Sequence, residues 1–423
     1  MRTLKVRLLV LAALLLSGGV ALLGVHLHWL AAGPRDPRFA AFMRRYARRA
    51  HNADVIPDHG ISLDRSGARL EIAQPDTVFQ RALDARALAD DGRPVKLSVD
   101  GALQSCAERL MRGKTGAVVV LEPTTGRIRA LVSTPRGEDA KGPKGPYLER
   151  ALTGLYPPGS TFKVFMAAAA LSEGLDPVLD CPASGYRSAP STPAIRDVEA
   201  RQAERRGRIW KGFGKIGMGP ALMHSSNVYF AKLGVQLGPE AFGRVVAKAR
   251  LRDSVVLLPS EDVSLESTGC GVPEGLRAPE LAPVAIGQGA LQLTPLAVAL
   301  FTAAVADDGV MLEPTLLDAA RPKLRALPFT HEAAARVRGM MRTVVESGTG
   351  RACRIPGLAV CGKTGTAQTG RGRDHAWFTC FAPEKAPRLV VTVLVERGGF
   401  GAEAALPVAR GVLEKAKELG YFE

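Results

Sequence analysis

The sequence predicts a mixed α/β (α+β) domain, with one central antiparallel sheet built from both ends of the domain and helices packed around it. Three observations predict this. A hairpin-like stretch, GAVVVLEPTTGRIRALVSTP at 116–135, opens the region. A block with helical periodicity follows it. Three apolar, strand-like stretches and a last helix then close the chain. A sheet drawing strands from both ends and covered by helices satisfies that order.

Taken in order, Leu103–Met111 reads as an amphipathic helix. The hairpin turns at Pro123-Thr124-Thr125-Gly126 between two apolar strands. In YPPGSTFKVFMAAAALSEG, Pro157-Pro158-Gly159 is a helix entry and Gly174 a stop. Further helices are expected at Gly219–Leu237, Pro239–Ala249, Pro295–Ala306 and His331–Glu346. Strands are expected at Leu358–Gln368, Ala376–Ala382 and Leu389–Glu396, and a closing helix at Pro407–Leu419.

The chain has 423 residues, 46% of them hydrophobic, which suffices for one large core or two domains. Leu8–Ala31 carries no Asp, Glu, Lys or Arg, and as a helix it would reach about 36 Å, enough to cross a bilayer. Residues 8–31 are therefore expected to be an uncleaved transmembrane anchor. A cleaved signal peptide is the alternative, although Trp29-Leu30-Ala31-Ala32 makes a poor cleavage site. Arg2, Lys5 and Arg7 favour a cytoplasmic N-terminus at 1–7. Arg35, Arg38, Arg44, Arg45, Arg48 and Arg49 follow the span, so charge alone does not orient it. Residues 32–95 read as a short, basic, proline-punctuated linker with a helical stretch at Phe39–Ala50, and 96–423 as the folded domain.

A net charge of +15 raises nucleic acid as a partner. The basic residues are spread along the chain without a nucleic-acid motif, so anionic lipid or a carboxylate-rich polymer is the simpler account. Six cysteines (Cys106, Cys181, Cys270, Cys353, Cys361 and Cys380) include no CxxC pair, which argues against zinc and thioredoxin-type chemistry and leaves any disulfide pairing open. No metal site is expected.

Gly357 to Thr364 matches a phosphate-binding loop, and GKTG also occurs at Gly113–Gly116. Such a loop must open a helix whose amides hold the phosphate. Here Leu358–Cys361 is itself strand-like, and the glycine-rich continuation cannot start a helix. A nucleotide site is not expected.

Three motifs carry the chemistry. Ser160 and Lys163 stand one helical turn apart, so the amine can take the serine's proton if burial lowers its pKa. An N-capping serine with a surface lysine would explain the same pair. In MHSSNVYFAKLG, Ser225 and Asn227 flank Ser226 inside a helix-like segment. Only Asn52 and Asn227 are asparagines, and Asn227 leads straight into an apolar run. A cap is the plain account, and a hydroxyl and amide aimed at substrate the functional one. Lys363-Thr364-Gly365-Thr366 lies on a strand, where an interior glycine permits close approach of a ligand.

Ser160-x-x-Lys163, Ser225-x-Asn227 and Lys363-Thr364-Gly365 stand in the order of the penicillin-recognising serine enzymes. With YPPGSTFK, GQGALQLTPLAVALFTAAVADDG and CGKTGTAQ…HAWFTCFAP, and more weakly GISLDRSGARL, the chain resembles the transpeptidase domain of penicillin-binding proteins from about Lys96 onward. The resemblance implies the penicillin-binding transpeptidase and serine β-lactamase-like fold, with an all-helical subdomain. It implies Ser160 as acylated nucleophile, Lys163 as its proton acceptor, and Ser225 and Asn227 as proton relay and amide holder. Lys363 and Thr364 with Gly365 would take the substrate carboxylate, and the backbone amides of Ser160 and Thr366 would form the oxyanion hole. Gly67–Lys96 leaves no room for a large pedestal domain, which points to a compact monofunctional (class B-like) D,D-transpeptidase. Such an enzyme would need no cofactor. Its partners would be peptidoglycan stem peptides, β-lactams, the inner membrane and a membrane-embedded glycan polymerase, with the catalytic domain extracytoplasmic. A D,D-carboxypeptidase or β-lactamase, or a silent envelope assembly or sensor protein, are the competing readings. The Glu-x-x-Leu-Asn context of class A β-lactamases is impossible with no asparagine after Asn227.

Overall fold

The computed structural model describes residues 62–63, 65–66, 95–135, 149–259, 265–370 and 372–423. The expected anchor at 8–31, the helix at 39–50 and most of the linker lie outside the described residues. No described helix is long and apolar enough to cross a membrane.

The central sheet has five strands: β1 (Gly116–Leu121), β2 (Ile128–Thr134), β3 (Cys361–Ala367), β4 (His375–Ala382) and β5 (Leu389–Val395). They pair antiparallel in the order β3-β4-β5-β1-β2, so the hairpin from one end joins the three strands from the other. Val391 faces Val120 at that junction, and Lys363 faces Thr379 on β4. Every residue of β1 and β5 is buried. Ala117, Val119 and Leu121 enter one core and Val118 and Val120 the other, because successive side chains leave opposite faces. Burial on both faces gives unbroken apolar runs rather than alternation.

The longer helices are α1 (Gly101–Leu110), α2 (Phe162–Ser172), α3 (Val198–Arg205), α4 (Met218–His224), α5 (Asn227–Lys248), α6 (Pro295–Ala306), α7 (His331–Glu346) and α8 (Leu406–Glu418). α1 and α8 cover one sheet face; α2, α6 and α7 lie on the other. Their starts are chemically marked. Asp100 Oδ1 accepts from Ala102 and Leu103 amides, and Thr294 and Thr330 hydroxyls accept from Ala297 and Ala333 amides. Every residue of α6 is buried, which a helix apolar on all sides requires. Between that helix and the sheet, Thr302, Thr379 and Thr392 hydroxyls bond in a chain at 2.9 and 2.8 Å, so no hydroxyl there is left unpaired.

Two expectations change locally. The helix expected across Gly219–Leu237 breaks at Ser225, which adopts φ 61 between α4 and α5. The break expected at Pro239 becomes a kink within α5, with Gly238 at φ 77, since Pro239 has no N–H to continue the ladder. All six cysteines are buried free thiols.

Candidate active site

Gly159–Thr161 forms a tight 3-10 turn that runs directly into α2, placing Ser160 in the first turn of a helix whose positive end favours developing negative charge. The turn fits only glycine at its first position. Gly159 has φ +54, and a Cβ there would come within 2.6 Å of the Thr366 carbonyl oxygen. Gly287, at φ +76, is packed as tightly: its carbonyl accepts from the Gly159 amide at 2.9 Å, and an added Cβ would sit 1.9 Å from the Gly159 oxygen. Trp377 Nε1 donates to the Pro157 carbonyl at 3.1 Å, tying the entry to β4. The turn that carries Ser160 is thus pressed against β3, the edge strand that carries Lys363 to Thr366.

Lys163 is fully buried on α2. Its Nζ donates to the Ser225 carbonyl at 2.6 Å and Asn227 Oδ1 at 2.7 Å, and lies 3.4 Å from Ser225 Oγ. Burial lowers its pKa to about 7, while Asp197 and Glu199 partly restore the charged form. As a neutral amine it spends its two N–H groups on those two acceptors and keeps its lone pair for a third partner. Ser160, one turn earlier, is half-buried on the cavity wall.

Lys363 is also fully buried, donating to Ser225 Oγ at 2.8 Å and the Thr364 carbonyl at 3.0 Å. Desolvation, and then repulsion from Lys163, hold its pKa well below the ordinary lysine value. It lies behind the cavity wall, and Thr364, Gly365 and Thr366 form that wall. Thr364 Oγ1 is 2.7 Å from Thr349 Oγ1, so two hydroxyls face the cavity in front of the buried lysine.

Ser225 Oγ therefore sits between both lysines. It accepts a bond from Lys363 at 2.8 Å and a longer one from Lys163 at 3.4 Å. The cavity measures about 1340 Å³ and also brings in α3 and the segment 276–290. All eight residues singled out in the sequence converge here, six on the wall and the two lysines directly behind it. The other GKTG copy does not join them: Lys114 Nζ caps α1 by donating to the Leu110 carbonyl at 2.8 Å, on the way into β1. After Thr364 the chain continues as strand to Ala367, not helix, so the phosphate-loop match has no helix behind it.

Sequence reasoning missed Asp197, Thr349, Gly287 and Glu199. Asp197 occupies the N-cap position of α3, yet its carboxylate serves another helix. Oδ1 accepts from the Asn227 amide at 2.5 Å and the Val228 amide at 3.1 Å, and Ser226 Oγ donates to the carboxylate at 3.1 and 3.2 Å. Ser226 Oγ in turn accepts from the Tyr229 amide at 3.1 Å, and Asn227 Nδ2 donates to the Arg196 carbonyl at 3.0 Å. Nothing local in the sequence marks Asp197; for Thr349 the only signal is its flanking Gly348 and Gly350.

The family model described as "Penicillin binding protein transpeptidase domain" matches residues 116–414. The peptidoglycan D,D-transpeptidase PbpA of Mycobacterium tuberculosis is 32% identical over 339 residues, 71% of this chain and 67% of that protein. MrdA of Acinetobacter baumannii, also a peptidoglycan D,D-transpeptidase, is 31% identical over 366 residues, 74% of this chain and 52% of the relative. The chain thus spans two thirds of the first and about half of the second. Among solved structures, the D,D-transpeptidase domain of a peptidoglycan glycosyltransferase from Eggerthella lenta superposes with TM-score 0.73 at 25% identity, covering 86% of this chain and 98% of that one. The ceftriaxone acyl-enzyme complex of penicillin-binding protein A from M. tuberculosis gives TM-score 0.67 at 28% identity, with 85% and 90% covered. With sheet order, the turn that carries Ser160 and the family match in agreement, this chain belongs to the penicillin-binding protein transpeptidase family, serine acyl-transferring enzymes of the D,D-transpeptidase type.

Proposed function

We propose that the chain cross-links peptidoglycan stem peptides through an acyl-enzyme on Ser160, and that β-lactams acylate the same serine. The single observation that supports this best is Ser225 Oγ held between Lys163 and Lys363 on the wall of the cavity that Ser160 lines. Neutral Lys163 takes the Ser160 proton as Oγ attacks the carbonyl of a D-Ala-D-Ala terminus. The amides of Ser160 and Thr366 hold the oxyanion, a donor whose loss typically costs about 3 kcal/mol. Ser225 passes the proton to the leaving D-alanine amine, and Asn227 positions the substrate amide. An amine acceptor then replaces the leaving group. The test is incubation of the full chain with peptide donor and amine acceptor, with product analysis. Cross-linked product supports transpeptidation; hydrolysed donor alone would favour a carboxypeptidase or β-lactamase.

Acylation should depend on pH through Lys163. Only its neutral form accepts a proton, so the acylation rate rises as pH increases through about 7 and levels above it. A rate that falls across that range would remove Lys163 from the base role.

Lys363 acts by charge from behind Thr364. A docked carboxylate offsets its desolvation and draws it back to the ammonium form. Lys363→Ala should slow acylation by carboxylate-bearing penicillins about 10²-fold, and Lys363→Arg should recover part of it. Lys114→Ala, which loses one exposed-end cap, should acylate as the parent chain does. Equal losses at Lys114 and Lys363 would undo the assignment.

The segment 8–31 holds the enzyme in the inner membrane with its catalytic domain extracytoplasmic, beside a membrane-embedded glycan polymerase. A 24-residue stretch without Asp, Glu, Lys or Arg and the chemistry of an extracytoplasmic substrate support this reading. External protease added to spheroplasts should release a soluble fragment that still binds labelled penicillin. Full protection of that fragment would reverse the orientation.

A further inference from the structure

We propose that Glu199, in the first turn of α3, forms the subsite for the acceptor amine, binding it as an ammonium beside the acyl-enzyme. The proposal rests on the transpeptidase reading above. Glu199 shares the cavity wall with Ser160, Ser225 and Asn227. Its helix is fixed there rather than loosely apposed, because Asp197, two residues earlier, bonds residues 226 to 228.

The electrostatics of the site favour such a group. Arg201, Arg205 and Arg277 line the cavity, so a cationic acceptor needs a carboxylate on its path to offset their repulsion. Four carboxylates line the cavity: Glu199, Glu280, Asp374 and Glu403. Glu280 is engaged by Arg277 at 2.6 Å, and Asp374 and Glu403 belong to the β3–β4 connection and the short helix 401–404 on the sheet side. Only Glu199 interacts electrostatically with both buried lysines among these four. Partial burial raises its own pKa, and Lys163 and His224 counter part of that rise.

The step balances without any further reagent. The acceptor ammonium releases one proton to solvent, and the amine nitrogen attacks the acyl carbonyl. The C–N bond forms, the bond from carbonyl carbon to Ser160 Oγ breaks, and the second amine proton passes through Lys163 to Ser160 Oγ. Glu199 holds the amine during this exchange and is not consumed.

The experiment uses the full chain, acylated from a D-alanyl thioester donor, and measures transfer to two acceptors. Nα-acetyl-lysine amide is cationic, while hydroxylamine is uncharged at neutral pH. Glu199→Gln should lower kcat/KM for the lysine acceptor about tenfold and leave hydroxylamine transfer within about twofold, and Glu199→Asp should retain an intermediate value. A matching melting temperature for Glu199→Gln checks that the fold is intact. Equal losses with both acceptors, or no loss with the lysine acceptor, would overturn the subsite. Absence of any acyl-enzyme in the parent chain would overturn both the subsite and the transpeptidase reading, and so marks a different failure.

Discussion

Ser160→Ala should abolish covalent labelling by penicillin and lower peptide turnover on the order of 10⁶-fold, the scale on which removing a serine nucleophile acts in other acyl-transferring enzymes. No neighbouring group replaces it. Lys163 keeps both bonds to Ser225 and Asn227, Lys363 stays behind Thr364, and the proposed oxyanion donors remain, since the Ser160 amide is backbone. The variant therefore still binds substrate and should show little change in the affinity of a non-reactive peptide. Its stability should also hold within about 0.5 kcal/mol, because the 3-10 turn and α2 start with no side-chain cap to lose. Mass mapping of the adduct and a thermal melt check both halves. A penicillin adduct on any other residue, or a variant that unfolds, would refute the assignment.

Where the chemistry is local, the sequence discloses it. Ser160 and Lys163 are one turn apart on a helix that the apolar run after Pro158 makes unavoidable. β3 was legible from the apolar stretch before Lys363, and the failed phosphate loop from the missing helix after Thr364. α6 and α7 begin and end where proline, a capping threonine and helical periodicity place them. What the sequence conceals is long-range. α3 is polar, short and opens with an aspartate that looks like its own cap. Only the fold shows that carboxylate spent on residues some thirty positions away. Ser225 was expected within a helix because its neighbours favour one, and tertiary bonds to both lysines override that preference. Gly287 reads as one glycine among 45, and only its contact with Gly159 distinguishes it.

Asp197→Ala should therefore harm the enzyme more than any residue outside the three motifs. Asp197 is about 1% exposed, and its loss leaves the Ser226 hydroxyl and the Asn227 and Val228 amides without their buried acceptor. Leaving buried donors without their charged acceptor costs about 1–3 kcal/mol for each group left unsatisfied. The carboxylate also stabilises the N-terminus of α5, where charge and helix dipole agree. The catalytic consequence is separable from the stability loss. Asn227 no longer has its amide anchored, so its Oδ1 leaves Lys163, and acylation falls about 10²–10³-fold at temperatures where the variant is still folded. Asp197 also supports the charged form of Lys163, so removing it moves the rising limb of the acylation profile below pH 7. Asp197→Asn keeps the shape and can still accept through one oxygen, so it should recover part of the stability while the limb still shifts. Urea unfolding paired with acylation rates across pH would measure both. A variant that loses stability but acylates with an unmoved pH limb would make Asp197 a scaffold residue with no hold on the base.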